Sequence, residues 1–275
     1  MKPFNIVRNN IKQKARRCGV TEAAMTQVYL QERLIARVAS SEYGRNLILK
    51  GGLCMAMILG VHSRTTIDSD YNIQGIKLTE QGMLDLLNEI ILIDLNDSIK
   101  YSIKGIDKNM PNKVYYGVEI RMKAMFGGME YDMSIDIATG DYIVPEPTMY
   151  VHKSFITDDE IHIHMYTAES IVAEKIDTVV YYDTANTRGK DFYDIYMLIK
   201  LNKLERNILR QALSITFETR GRDIYDILPV LKRVAANTDV KRYWERYSQS
   251  YDYSRKLEFN EVMRVTISFF EGILL

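Results

Sequence analysis

Cysteine and proline are both scarce in this chain. Its 275 residues include only two cysteines, Cys18 and Cys54, and neither belongs to a CxxC pair. We therefore expect neither a disulfide framework nor a thiolate zinc site. Five prolines and the lack of any low-complexity tract argue against long disordered segments. The remaining composition, 47% hydrophobic and 26% charged, is typical of a globular protein of one or two domains.

Long apolar runs are also missing. No stretch approaches 18 apolar residues, so we expect no transmembrane helix and no membrane partner. The first residues, Met-Lys-Pro-Phe-Asn, lack the apolar core of a signal peptide. A cytoplasmic location is therefore expected.

The net charge is zero, but its distribution along the chain is uneven. Residues 1–64 carry a net charge of +8, residues 65–185 carry −12 and residues 186–275 carry +4. An acidic middle between basic ends is typical of a metal-binding cleft whose walls bind a polyanion. Solvated helix faces would give the same counts, and charge alone does not choose between the two.

Hydrophobic periodicity predicts an α+β fold. Helical periods cover 21–40, 53–59, 79–92, 167–182 and 191–201, and strand patterns cover 47–49, 67–73, 101–106, 114–126 and 131–137. The first half therefore alternates helices and strands around a mixed sheet. Past Pro147 the pattern is helical. We predict a first domain over 1–160, with the sheet and N-terminal helices, and a helical second domain over 161–275.

Asp68 and Asp70 form the first candidate site. Side chains alternate across a strand, so both carboxylates leave the same face with Cα atoms about 6.5–7 Å apart. At that separation they can bind one or two divalent cations, and Mg²⁺ prefers such oxygen ligands. Gly51 and Gly52 precede them, as in a loop that lets phosphates approach backbone N–H groups. Two exposed aspartates at a strand edge are the alternative interpretation.

A third carboxylate can come from the strand predicted at 131–137. Asp132 and Asp136 share one face of that strand. Pairing with the strand that carries Asp68 would set one of them beside the first two carboxylates. We favour Asp136 over Asp132. The polar side of a solvent-facing edge strand is the alternative.

Lys175 and two aspartates are the candidates in the helical half. Lys175 lies within an apolar helix, and the positions three and four residues away hold no acid. Its ammonium can bind a triphosphate as a point charge, or extend along the surface into water. Asp191 and Asp194 share a face at a helix start, where an aspartate also serves as an N-cap.

One further pattern concerns nucleic acid. Trp244 lies among several tyrosines and the basic Lys241, Arg242 and Arg246, a mixture typical of surfaces that bind single strands. An aromatic stripe of this kind also forms ordinary core, which is the alternative interpretation.

Taken in order, these segments resemble the AbiEii/AbiGii toxin family of nucleotidyltransferases, in the polymerase-β-like superfamily and related to the MenT toxins. The matching segments are LKGGL at 49–53, RTTIDSD at 64–70, IDI at 135–137, GD at 140–141, AEK at 173–175 and RGKDFYD at 188–194. The resemblance implies a nucleotidyltransferase core, followed by an all-helical C-terminal domain that completes the active-site cleft. It also implies an enzyme that depends on Mg²⁺ and NTP.

The resemblance also implies roles for individual residues. As catalytic residues it implies Asp68, Asp70, Lys175, Asp191 and Asp194. As metal ligands it implies Asp68, Asp70 and Asp136. As nucleotide contacts it implies Gly51, Gly52, Arg64, Thr65, Lys175 and Lys190. The superfamily's glycine–serine loop is Gly51-Gly52 here, so backbone N–H groups, Thr65 or Thr66 must replace the missing serine.

The function implied by the resemblance is that of a toxin in a bacterial toxin–antitoxin or abortive phage infection system. Such an enzyme would transfer a nucleoside monophosphate from NTP to an RNA acceptor, and MenT relatives use the 3′ ends of tRNA. The expected partners are NTP, tRNA and an antitoxin encoded nearby. Two alternatives stay open. One is transfer to a protein or to a small molecule such as an aminoglycoside, and the other is a non-catalytic relic that binds nucleotide.

Overall fold

The chain divides into two units. A computed structural model describes residues 4–64, 66, 69–77, 79–109, 117–140 and 143–274. The first unit comprises residues 1–141 and 148–165, and the second comprises 142–147 and 166–275. Within the described ranges, no helix is both long enough and apolar enough to cross a membrane.

The first unit contains a seven-stranded mixed sheet in its described part. Its strands are β1 (Leu47–Lys50), β2 (Ser69–Ile73), β3 (Lys100–Asn109), β4 (Gly117–Phe126), β5 (Met129–Ala138), β6 (Thr148–Lys153) and β7 (Glu160–Met165). Their order across the sheet is β3-β4-β5-β2-β1-β7-β6. β2 is parallel to β5 and β1 is parallel to β7, while the other neighbours are antiparallel. The predicted mixed sheet is confirmed, and β2 lies at its centre.

In the chain, helices precede the sheet, lie between some of its strands and follow it. They are α1 (Phe4–Cys18), α2 (Glu22–Ser40), α3 (Gly51–Leu59), α4 (Glu80–Ile91), α5 (Ala168–Tyr182), α6 (Gly189–Lys200), α7 (Arg206–Thr219), α8 (Ile227–Ala236), α9 (Thr238–Ser250) and α10 (Phe259–Leu274). Thr21, Thr79 and Thr167 cap α2, α4 and α5, since each side chain accepts a hydrogen bond from a backbone N–H of the first turn. The α+β fold with helices at its C-terminal end is confirmed.

Strands β6 and β7 lie where the sequence predicted only loop and helix. Residues 161–165, expected in the helical part, are strand instead. Ile161, Ile163 and Met165 are buried and alternate with polar residues, so the period of two was present in the sequence. β6 is an edge strand that exposes Met149 and Val151, which blurs its alternation.

Helix α2 holds β2 from the buried side of the sheet. Gln31 is fully buried, and its Oε1 accepts a hydrogen bond of 2.5 Å from Ser69 Oγ. Ser69 begins β2, and its side chain leaves the opposite face from that of Asp70. A buried polar group that loses its partner costs roughly 1–3 kcal/mol, so this bond favours the register that turns Asp70 away from α2.

Two arginines on α2 share one buried carboxylate. Asp97 accepts hydrogen bonds from Arg33 Nε at 2.8 Å and from the two terminal nitrogens of Arg37 at 2.8 and 2.7 Å. Burial alone would raise the pKa of Asp97, but the bonds and charges of Arg37 and Arg33 outweigh it and hold the pKa below its ordinary value. The carboxylate is therefore ionised at neutral pH and ties α2 to the chain that enters β3.

The substitution Asp97→Asn tests this ion cluster. It removes the buried carboxylate that the two guanidinium groups share and leaves Arg37 with backbone carbonyls and Arg33 with the exposed Asp159. We therefore expect the free energy of unfolding at pH 7 to fall by about 3 kcal/mol. Urea unfolding of the two proteins measures the difference. The contribution of Asp97 is complete above its unfolded-state pKa of about 3.9 and is lost as pH falls through the lower folded-state pKa. A difference that stays constant down to the most acid pH would contradict the assignment.

Candidate active site

Charged side chains lie in one row across the middle of the sheet. Lys50 on β1 is paired with Asp70 on β2, and Asp70 is paired with Asp136 on β5. Asp136 is in turn paired with Glu119 on β4. Residues paired across neighbouring strands leave the same face, with strands about 4.8 Å apart, and all four side chains are half-buried. The sheet thus brings one lysine and three carboxylates together.

The structure distinguishes the two candidates for the third carboxylate on β5. Asp136 lies opposite Asp70, whereas Asp132 is paired with Lys123 and its side chain is 92% exposed. Glu119 was not expected from the sequence, because only the register between β4 and β5 shows that it is Asp136's partner. It adds a further carboxylate to the row.

Two of the predicted site residues, Asp68 and Thr65, lie outside the described residues. Among the residues that the structure does describe, no group of three His, Cys, Asp or Glu side chains is arranged to hold a metal ion. Asp70 and Asp136 offer the hard oxygen donors that Mg²⁺ prefers.

The backbone of Gly51 lies directly against Asp70. Gly51 has a φ of +71°, and a Cβ at this position would overlap Oδ2 of Asp70. Gly51 is also the first residue of α3, whose N-cap residue, Lys50, makes no side-chain capping bond. A helix N-terminus carries partial positive charge and N–H donors. It therefore favours the carboxylate of Asp70 and any phosphate bound near it.

Thr66 occupies the space that the second glycine leaves open. A Cβ on Gly52 would lie 2.9 Å from Oγ1 of Thr66 and 3.2 Å from its Cβ. Thr66 is thus close enough to be the residue that supplies the hydroxyl missing from the loop. Arg64, a predicted nucleotide contact, is buried with 4% of its surface exposed.

A buried ion cluster joins α5 and α6 in the second unit. Lys175 Nζ lies 2.7 Å from Asp191 Oδ1 and 2.8 Å from Asp194 Oδ2. Arg188 Nε donates to the other oxygen of Asp191 at 2.7 Å. Both carboxylates are buried, whereas the side chain of Lys175 is 11% exposed. No acid partner was predicted for Lys175, because both partners belong to a different helix.

The charges of this cluster set the protonation states of Lys175 and Asp191. Burial alone would lower the pKa of Lys175, but Asp191 and Asp194 outweigh it and raise the pKa above its ordinary value. Burial would raise the pKa of Asp191, and the charges of Lys175 and Arg188 hold it below its ordinary value instead. Within the described part of the chain, two of the three N–H donors of Lys175 face carboxylates, and an ammonium has one more to offer.

Comparisons with known proteins agree with this architecture. The family model described as nucleotidyl transferase AbiEii toxin, type IV TA system, matches residues 33–265. A candidate nucleotidyltransferase from Helicobacter pylori covers 92% of this chain and 96% of its own, at 13% identity and a TM-score of 0.52. JHP933 from Helicobacter pylori covers 92% and 95%, at 15% identity and a TM-score of 0.50. These identities show a shared fold alone. The search of curated proteins gave no match.

The substitution Gly51→Ala tests the contact with Asp70. Its control is Gly128→Ala, since Gly128 also has a positive φ, of +80°, but a Cβ there meets nothing within 4 Å. We expect the control to lose about 1–2 kcal/mol of unfolding free energy from backbone strain alone. Gly51→Ala should lose about 1–3 kcal/mol more, because Asp70 must move. Equal losses in urea unfolding would contradict the contact.

The substitution Lys175→Met tests the cluster in the second unit. It leaves two buried carboxylates without their shared cation, so we expect a loss of about 3–5 kcal/mol in unfolding free energy at pH 7. Lys190→Met is the control, because Lys190 is exposed on α6 and should change stability by no more than about 0.5 kcal/mol. Thermal or urea unfolding measures both, and a stable Lys175→Met protein would count against the cluster.

Proposed function

Because this chain belongs to the AbiEii nucleotidyl transferase toxin family, we propose that it transfers a nucleoside monophosphate from NTP to an RNA acceptor, namely tRNA. The observation that carries the proposal is the pairing of Asp70 with Asp136 beside the backbone of Gly51. It supports a phosphate-binding site because a helix N-terminus and paired carboxylates lie together. The family also implies an antitoxin as a partner, and the proposed setting is the bacterial cytoplasm.

The proposed reaction is a displacement at the α-phosphorus of the NTP. A hydroxyl oxygen of the RNA forms a bond to the α-phosphorus, and the bond from that phosphorus to the bridging oxygen breaks. Pyrophosphate leaves with the bridging oxygen, and the hydroxyl proton passes to a carboxylate of the row. The N–H groups at the start of α3 would bind phosphate oxygens and orient them.

Asp70 and Asp136, with Asp68, would hold Mg²⁺ at the same row. When bound there, this ion would neutralise phosphate charge and lower the pKa of the attacking hydroxyl. The donor set fits the ion, since carboxylate oxygens are its preferred protein ligands. The positive end of α3 and the Lys50 side chain would limit the repulsion between these carboxylates before the substrate binds.

For the second unit we propose that Lys175 contacts the triphosphate and that Asp191 assists catalysis, with Asp194 holding Lys175 in place. The raised pKa of Lys175 keeps its ammonium charged over the physiological range, as a phosphate contact requires. Because Asp191 and Asp194 already face Lys175, the lysine is pre-oriented, and only its remaining N–H donor is offered to phosphate.

Incubation of the full chain with labelled NTPs, Mg²⁺ and total tRNA tests the proposal. We expect label in the RNA, and we expect Asp136→Asn to lower the rate by at least about 10²-fold, because it removes a carboxylate that would hold the Mg²⁺. Asp132→Asn is the matched control, since it makes the same change on the same strand face at an exposed position. It should leave the rate unchanged.

The same assay distinguishes the alternative functions. If no NTP labels RNA but label reaches a protein or an aminoglycoside, the proposed acceptor is wrong and the nucleotidyl transfer itself is supported. NTP binding without any transfer would contradict enzymatic activity and support a nucleotide-binding relic. An Asp132→Asn protein that loses activity while Asp136→Asn keeps it would overturn the assignment of the third carboxylate.

A further inference from the structure

Four tyrosines pack against one another in the second unit. They are Tyr193, Tyr247, Tyr251 and Tyr253, here named the tyrosine cluster. Ring centroids lie 4.9 Å apart for Tyr193 and Tyr253, and 5.2 Å apart both for Tyr247 and Tyr251 and for Tyr251 and Tyr253. Trp244, from the same sequence pattern, is buried and belongs to the core. The tyrosines of that pattern that reach the surface are Tyr251, in the tyrosine cluster, and Tyr243.

Exposure increases across the tyrosine cluster. Tyr193 is buried, Tyr247 and Tyr253 are half-buried, and Tyr251 is 39% exposed. The rings of Tyr251 and Tyr253 are nearly parallel, with an interplanar angle of 16°. An exposed ring that is stacked on a second ring offers a flat apolar surface with little conformational freedom left to lose. Such a surface suits another flat ring.

The tyrosine cluster lies at the start of α6, the helix that supplies the acids of the Lys175 cluster. A Cβ on Gly189, the first residue of α6, would lie only 2.6 Å from the Cβ of Tyr247. Tyr193 follows Asp191 by two residues on the same helix. The tyrosine cluster therefore packs against the same helix that carries Asp191 and Asp194.

The surface around the exposed end is basic. Residues 241–256 contain five basic and two acidic side chains. The exposed basic residues are Arg242, Arg246, Arg255 and Lys256. Arg242 is ion-paired with Asp239 and Arg255 with Asp252, both at exposed positions where such pairs are weak. The guanidinium of Arg246 lies 5.7 Å from the ring centroid of Tyr243, which gives the surface a second aromatic contact. Stacked aromatic rings among cations are the means by which proteins bind single strands, because the rings stack on bases and the cations pair with phosphates.

We propose that the tyrosine cluster binds unpaired bases of a single-stranded RNA segment, with Tyr251 as the stacking ring. The identity of that strand as the acceptor rests on the proposed function, whereas the binding itself does not. Duplex RNA hides the faces of its bases, so it would not use Tyr251. A mononucleotide would need one ring and no extended basic surface, and a protein partner would not need exposed stacked rings.

Fluorescence anisotropy with the full chain tests the binding. The probes are a labelled single-stranded decauridylate and an RNA duplex of the same length, without NTP. We expect Tyr251→Ala to raise the Kd for the single strand about tenfold, the effect typical of losing one stacked base, and Tyr251→Phe to retain the wild-type value. Tyr225→Ala is the matched control, since Tyr225 is 66% exposed and lies outside the tyrosine cluster. It should bind as the wild type does.

Three results would overturn the inference. They are a Tyr251→Ala protein that binds the single strand as the wild type does, a wild type that binds the duplex as tightly, and a loss of ATP binding in Tyr251→Ala by calorimetry. The transfer assay separates this inference from the proposed function. Binding that depends on Tyr251 without any transfer of label would refute the proposed function alone. Transfer that is indifferent to Tyr251→Ala, with binding that depends on Tyr251, would refute only the identification of the bound strand as the acceptor.

Discussion

The hydrogen bond between Gln31 and Ser69 is the contact on which the candidate site depends. It holds the first residue of β2 toward α2, so the pleat of the strand turns Asp70 to the other face. A shift of β2 by one residue would exchange the two faces and carry Asp70 toward the apolar side. With the register fixed, β1 and β5 set Lys50 and Asp136 on either side of Asp70. The geometry of the row thus follows from one buried bond and ordinary sheet pairing.

The row places like charges side by side. Asp70 and Asp136 are like charges on adjacent strands, and Glu119 extends the repulsion to β4. Lys50 and the N-terminus of α3 offset part of that repulsion on the Asp70 side. Carboxylate oxygens are the donors that a divalent cation prefers, which is why the proposed function includes a cation at this row.

Local signals in the sequence predicted the fold well, and they failed where partners come from distant elements. Capping threonines and helical periods predicted α2, α4 and α5, and strand alternation placed Asp136 on the polar face of β5. The partners of Lys175 were missed because sequence spacing identifies only neighbours on the same helix, three or four residues away. Both acids belong to another helix, α6. The edge strand β6 was missed because it exposes apolar side chains. Both features depend on how elements that are distant in the sequence pack together, which local patterns do not show.

Thr66 lies against the glycine that stands where the resembled superfamily has a serine. In the resembled superfamily a serine follows the glycine and offers a hydroxyl to phosphate, whereas position 52 here is glycine. A side chain at that position would collide with Thr66, whose Oγ1 lies 2.9 Å from where a Cβ of residue 52 would be. Glycine at 52 and threonine at 66 are therefore two parts of one arrangement, since the first makes the space that the second occupies. The Thr66 hydroxyl thus lies close to Gly52, in the first turn of α3.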